Sequence, residues 1–503
     1  MLSLFLLIAP FFQNPIVSRD GVGVEVPLAT TTTAPMGVGA PGRTADHATL
    51  AMADNRDIAI VFHTSRAPFQ GASLKQVELA YFQYLGNESW GHVGTELIGS
   101  IDHNPILGFL QPLVKCERPD VVAVGNQFFV VWTRRYDENF SGQQSNEQQF
   151  EPSVLECCWV GLDTTYNDVL VHNGGLAVGR GVILDAHSPL VGGRTFETRD
   201  CEGVADAVVL KDSGLSPSQV KVGVGYPHQE VFGSNNRSFD MRLVTSVFDT
   251  STKSFSVPIL NDVQTGIPFN GATSASGNSA GLILPDLEPA FEENSFWLTY
   301  EVQIVRVGPP NLPSGTIRLE YWTENASSVW ALQASRSYKS SASNPPMVRR
   351  RPDISSRPTT ANDEIVTLVF NETDPDPLGS DQSKNVVLTQ VHYENGGFAP
   401  PTSPIPLWPN SPQKDDGKPV AIHGRNLLSG PHAFADRTDP PSSTCDIISD
   451  KLNTYGVNPF SSVGRPAVSH HYEAGHSSPD YFAVIFEKVE NLGDPERIWI
   501  TIE

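Results

Sequence analysis

Arg118-Pro119-Asp120 and Arg351-Pro352-Asp353 place a guanidinium, a ring-locked backbone and a carboxylate at the same three positions. Arg465-Pro466 repeats the first two residues, and Leu284-Pro285-Asp286 repeats the last two. Arg43 stands alone near the start of an apolar stretch. If the chain gathers these groups, the guanidinium forks can grip a carboxylate or sugar acid through paired N–H donors. The candidate ligand-binding set is therefore Arg43, Arg118, Asp120, Asp286, Arg351, Asp353 and Arg465. The same tripeptide can equally serve the chain itself, with Pro fixing φ, Asp bonding nearby backbone and Arg bridging to the Asp of a neighbouring repeat.

Other reactive residues point to less. His470, His471 and His476, with Glu473 among them, suggest a metal centre. On a strand, however, His470 and His471 face opposite ways, and an extended backbone carries His476 roughly 15 Å off. Each is read as a structural or surface histidine, and no metal site is assigned. Asp374-Pro375-Asp376 with Asp381 lacks EF-hand spacing, so no cofactor is expected, calcium being the one cation this segment could take. Cys116, Cys157, Cys158, Cys201 and Cys445 form neither a disulfide framework nor a CxxC zinc pair. Cys116 and Cys201 occupy the same place in consecutive repeats. Cys157 and Cys158 would face two ways on a strand and fill core. Neither a phosphate loop nor a G-x-S-x-G elbow occurs. Asn87, Asn139, Asn236, Asn325 and Asn371 lie in glycosylation sequons.

The elements that must position these residues are short strands in a recurring order. Residues 118–132 give a polar start, a strand, a turn and a strand ending in Trp132. The pattern returns from Arg351 to Phe370, from Arg465 to Phe486 and from Leu284 to Tyr300, with looser copies ending at Tyr226 and Phe62. Period-two or continuous apolar character predicts four strands per unit, in sheets covered on both faces. The units span about 43–105, 116–190, 200–265, 282–340, 349–410 and 464–503. In the fifth, 405–408 is the expected outer strand. The last unit is one strand short, and 22–28 resembles the other outer strands, so it is expected to supply the missing one; Pro27 suits an edge. An insertion at 409–464, rich in Pro, Ser, Asn and Asp, matches no unit and is expected to fold over the ligand face.

Composition bounds the function. A formal charge of −22 leaves no basic face for nucleic acid or an anionic membrane. The 41 Gly, 40 Pro and 18% charged residues describe an all-β chain cut by turns. Residues 1–12 are apolar over signal-peptide length and too short to span a bilayer, so 1–20 is read as a leader and the mature chain as secreted, periplasmic or on the cell surface. No integral membrane segment is expected.

Six such units, each ending its second strand in Phe62, Trp132, Tyr226, Tyr300, Phe370 or Phe486, resemble the blades of a β-propeller. A lone blade cannot bury both faces; radial packing gives each face a neighbour, and the repeated aromatic fills the wedge between blades. Sialidase-like propellers are the nearest architecture, although Arg-Pro-Asp stands where they carry Arg-Ile-Pro and their Ser-x-Asp-x-Gly-x-Thr-Trp boxes are missing. The resemblance implies a single all-β, six-bladed propeller of four-stranded blades, with its ligand face where the innermost strands begin. It further implies an exported binding protein engaging a carbohydrate or an extracellular protein. The alternative it implies is a carbohydrate-active enzyme, either a sialidase-like glycoside hydrolase or a polysaccharide lyase, whose Arg cluster holds a substrate carboxylate.

Overall fold

The computed structural model describes residues 15–19, 24–29, 44–65, 75–99, 114–136, 153–162, 169–172, 182–186, 198–200, 206–232, 236–249, 251–252, 254–256, 259–263, 279–305, 316–325, 329–338, 348–360, 363–373, 383–398, 404–406, 413–415, 420–422, 462–471, 481–489, 495 and 497–502. Among them every regular element is a strand, and no helix is long and apolar enough to cross a membrane.

Two short strands, β1 (Ile16–Ser18) and β2 (Val24–Glu25), precede the sheets. The first sheet runs β3 (Ala45–Met52), β4 (Ile58–Ser65), β5 (Lys75–Gly86), β6 (Ser89–Gly99), with β1 on its outer edge. The second has β7 (Val114–Val124), β8 (Gln127–Tyr136) and β9 (Ser153–Leu162), flanked by β10 (Val169–His172) and β11 (Val182–Ala186), which pair with separate stretches of β9. The third combines β12 (Thr198–Asp200) and β13 (Asp206–Leu210), both on β14 (Gln219–Phe232), with β15 (Asn236–Asp249) carrying β16 (Ser254–Phe255) and β17 (Ile259–Val263). The fourth is a plain meander of β18 (Ser279–Pro289), β19 (Ser295–Val305), β20 (Thr316–Glu324) and β21 (Trp330–Tyr338).

The fifth sheet orders β22 (Val348–Thr360), β23 (Asp363–Thr373), β24 (Ser383–Glu394) and β25 (Gly397–Phe398). Its outer edge corrects the expectation for 405–408. β26 (Pro404–Pro406) pairs instead with β27 (Gln413–Asp415), and β28 (Val420–Ile422), from inside the expected insertion, adds to β24. Pro404 and Pro406 lack the N–H a ladder needs, whereas Val420, Ala421 and Ile422 each carry one. The rest of 409–464, and with it the expected lid, lies outside the described residues up to Ser462. The last sheet is β29 (Ser462–His471), β30 (Tyr481–Val489) and β31 (Arg497–Ile502), with β2 on β31.

The sheets form a propeller-like ring. β3 packs on β7, β7 on β13, β13 on β18, β18 on β22, β22 on β29, and β29 returns to β3. The core accordingly lies between sheets. Phe62 packs with Ala467 and Ile485 of the last sheet, Trp132 with Val77 and Leu79 of the first, Tyr300 with Val208 and Leu243 of the third, and Phe370 with Ile317 and Leu319 of the fourth. All four aromatics are fully buried. The side chains of Tyr226 and Phe486 are outside the described set. Cys157 and Cys158 face opposite ways, into the packing toward the third and the first sheet respectively.

The N-terminal segment ties the first sheet to the last. Val24 and Glu25 pair with Ile500 and Trp499, the Val26 N–H donates to Ile498 O at 2.9 Å, and Thr95 donates to Pro27 O at 2.7 Å. Buried Glu78 accepts from the Ala29 N–H at 2.8 Å and from Thr64 Oγ1 at 2.7 Å. Residues 15–19 also take part in the first sheet and its contact with the last. Val17 is fully buried, β1 pairs with β6, and Arg19 bridges Ile502 and forms an ion pair with Glu88.

Candidate functional site

The innermost strands other than β13 share one irregularity. Their register against the second strand slips between Asp46 and Thr49, Glu117 and Asp120, Ile283 and Asp286, Arg350 and Asp353, and Gly464 and Ala467. Each slip passes over two residues: His47-Ala48, Arg118-Pro119, Leu284-Pro285, Arg351-Pro352 and Arg465-Pro466. A bulge interrupts the ladder, so a residue without an N–H costs nothing there. The X-Pro pair is therefore the sequence mark of the bulge. The bulge, which β3 forms with His47-Ala48 and no proline, sets His47, Arg118, Leu284, Arg351 and Arg465 at matching positions near the starts of their innermost strands. The side chains of the three arginines, and all of Arg43, lie outside the described residues.

The aspartates do something other than line a ligand site. Asp120, Asp286 and Asp353 are buried and reach sideways into the next sheet. Asp120 Oδ2 accepts the Ala207 N–H at 2.7 Å, and Asp353 Oδ1 accepts that of Val468 at 2.7 Å. Asp286 accepts from Ile354, and Asp206 accepts from Leu287. Each donor is the residue one beyond the matching position of the following strand. Where Ala467 replaces the aspartate, Ser469 Oγ accepts the Met52 N–H at 3.0 Å. Burial pushes all four carboxyls up, and neighbouring carboxylates push Asp206, Asp286 and Asp353 further. These aspartates fasten sheet to sheet, a structural role that the ligand-binding expectation did not include. One oxygen of each accepts from backbone of the neighbouring strand, which is not local turn chemistry.

A cluster that inspection of the sequence passes over sits at the bulge of β3. Asp46 pairs across the ladder with His63 on β4. The His63 Nε2 contacts Asp46 Oδ1, and His47 Nδ1 lies 3.5 Å from the same oxygen. The two imidazoles stack with centroids 4.5 Å apart and planes 29° from parallel. His47 adopts a left-handed backbone, φ 51°, and its N–H donates to Glu487 Oε1 of the last sheet at 2.6 Å. Burial alone would raise the Asp46 carboxyl. Hydrogen bonds with His47 and His63 and the charge of both rings outweigh it and hold the carboxyl far below the usual range. Sixteen residues separate Asp46 from His63, and only the β3–β4 register makes them neighbours, so no local spacing could have flagged them.

Of the other candidates, His470 and His471 occupy consecutive positions of β29 opposite Phe482 and Tyr481. Glu473, His476, Asp374, Asp376, Asp381, Cys201 and Cys445 lie outside the described residues. Cys116 is buried between the first two sheets.

No protein-family model and no curated protein sequence matches the chain. Solved structures similar to it include the Trypanosoma rangeli sialidase in complex with the inhibitor DANA, at 9% identity and a TM-score of 0.44, covering 96% of this chain and 58% of that one. A Penicillium chrysogenum alpha-L-arabinanase complexed with arabinobiose has 9% identity, a TM-score of 0.38 and coverages of 95% and 97%. A B. megaterium levansucrase variant has 8%, 0.40, and coverages of 71% and 84%. This chain thus spans 58% of the length of the sialidase.

Proposed function

We propose that this chain is an exported six-bladed β-propeller that binds an acidic glycan at the rim where its innermost strands begin. The observation that carries the reading is the common bulge register, which sets Arg118, Arg351 and Arg465 at positions matching that of His47 on strands that pack in ring order. Three guanidinium groups at matching positions suit a polyanionic sugar better than a neutral one. Pairing of β2 with β31 supports closure of the ring by the N-terminal segment, and export places its cleavage before Pro15, so that β1 is kept.

The test compares the parent protein with Arg118→Ala, Arg351→Ala and Arg465→Ala on uronic- and sialic-acid glycans and on neutral ones of equal length. Each substitution should weaken acidic-glycan binding by about 1.5–3 kcal/mol, the scale of a hydrogen bond to a charged group, and leave the melting temperature nearly unchanged. A parent that binds no acidic glycan, or variants that lose stability and keep their binding, would remove the proposal.

A second reading, a polysaccharide lyase, is favoured by the Asp46–His63 contact with His47 beside it. The partly exposed His47 imidazole, stacked on His63 and 3.5 Å from the Asp46 carboxylate, is the group that could abstract a proton next to a sugar carboxylate. Incubation with uronic-acid polymers and detection of unsaturated product ends separates catalysis from binding alone.

A further inference from the structure

The Asp46, His47 and His63 side chains offer one carboxylate oxygen and two imidazole nitrogens, all within 4.8 Å of one another. We propose that they form a mononuclear site for a divalent transition metal, with Zn²⁺ the ion of best fit and one coordination position left open on the solvent side. The proposal stands apart from the glycan reading and does not need it.

The donor set selects the ion. Two imidazoles and one carboxylate suit a borderline cation, and three protein ligands with an open fourth position are the composition of a zinc centre that can take a water or a ligand group. Calcium, which takes six to eight oxygens, is excluded by the same set. In a tetrahedral site with metal–ligand distances near 2.0–2.2 Å, donors stand about 3.3 Å apart. His47 Nδ1 and Asp46 Oδ1 are already 3.5 Å apart. Placing an ion between Asp46 and His63 asks only for rotation of the carboxylate away from direct contact with the ring.

Placement argues for a built site. Asp46 and His63 are directly paired across the β3–β4 ladder, and His47 sits in the bulge between paired residues Asp46 and Thr49 rather than on a loop. The His63 side chain is fully buried, while those of Asp46 and His47 keep 23% and 14% of their surface, giving the site a closed floor and an open side. His47 reaches its place through a left-handed backbone that a non-glycine residue rarely adopts. The buried Glu487 carboxylate holds that conformation by accepting the His47 N–H from the last sheet. The same bulge on β7, β22 and β29 holds Arg-Pro. Among the described strands only β3 combines a histidine in the bulge with a carboxylate before it and a second histidine across the ladder.

The experiment uses the full chain stripped with EDTA and returned to buffer, titrated with Co²⁺ as a spectroscopic probe and then with Zn²⁺ in competition. One equivalent of Co²⁺ should give the intense visible bands of a low-coordinate site, and Zn²⁺ should abolish them. Asp46→Asn and His47→Gln should each weaken Zn²⁺ binding at least tenfold, whereas His92→Gln, on β6 and hydrogen-bonded to Thr95, should bind as the parent does. Circular dichroism checks that each variant is folded. Should His47→Gln fail to fold, Asp46→Asn, which keeps size and shape, decides. A parent without the Co²⁺ bands, or folded Asp46→Asn and His47→Gln with parental affinity, overturns the site and assigns any residual metal to other histidines.

Discussion

Asp353 on β22 accepts the backbone N–H of Val468 on β29 at 2.7 Å, across the boundary between two sheets. The contact belongs to a series in which Asp120, Asp206 and Asp286 do the same for Ala207, Leu287 and Ile354. It makes the ring more than a stack of apolar faces, because the second to fifth sheets each satisfy a backbone donor of the next. Asp353→Ala should therefore cost about 1–3 kcal/mol, the penalty for leaving a buried donor unsatisfied. Asp353→Asn, which keeps an oxygen acceptor, should cost less. Urea unfolding of both variants checks the difference, and equal losses would mean that packing, rather than the hydrogen bond, is what the residue contributes.

The same carboxyls set a pH dependence. Burial raises the folded-state values of Asp120, Asp206, Asp286 and Asp353 above the ordinary 3.8, and Glu288 nearby is raised by burial and by Asp286. A group raised on folding contributes stability that is complete below its unfolded value and lost as pH climbs through its folded value. Asp46 is lowered, so its contribution is lost only on acidification below 3.8. From about pH 4 upward the ring aspartates dominate, and the urea midpoint should fall as pH rises. A combined Asp206→Asn and Asp286→Asn variant should flatten that slope. A midpoint that instead climbs with pH across the window would contradict the assignment.

Residues 15–29 are expected to be part of the cooperative unit. Val17 and Val26 are fully buried, and Glu78 gathers the Ala29 N–H, Thr64 Oγ1 and Gln76 Nε2. Deleting residues 1–29 should lower the melting temperature and broaden the transition. Glu78→Ala should cost about 1–3 kcal/mol for each buried donor it leaves unsatisfied. A truncated chain that melts like the parent would show the segment to be dispensable.

Gly225 marks a close approach between the third and fourth sheets. A Cβ added there would stand 2.8 and 3.0 Å from the two methyl carbons of Leu287 and 3.3 Å from Met241 Sδ. Leu287 and Met241 are buried in the packing between these sheets, so the methyls have little room to withdraw. Gly225→Ala should destabilise by about 1–3 kcal/mol through overpacking. Combining it with Leu287→Ala should cost less than the sum of the two changes, and strict additivity in a double-mutant cycle would place the strain elsewhere.

The sequence by itself determined the all-β class, the order of the strand pairs and the inward-facing aromatics, because these rest on period-two patterning and on residues such as Phe62, Trp132, Tyr300 and Phe370 whose size and apolarity leave them only the wedge between sheets. It also marked the position of the bulge, since Pro119, Pro285, Pro352 and Pro466 cannot donate to a ladder. It could not reveal what the flanking aspartates do, because an Asp that hydrogen-bonds its own turn and an Asp that reaches Val468 over a hundred residues away are the same letter. Nor could it show that 420–422, rather than 405–408, completes the edge of β24, a choice made by competition among strands for one open ladder. The Asp46–His47–His63 cluster is wholly a product of tertiary structure. The β3–β4 register brings Asp46 to His63, and Glu487, 440 residues from His47, holds the backbone turn that stacks the second imidazole on the first.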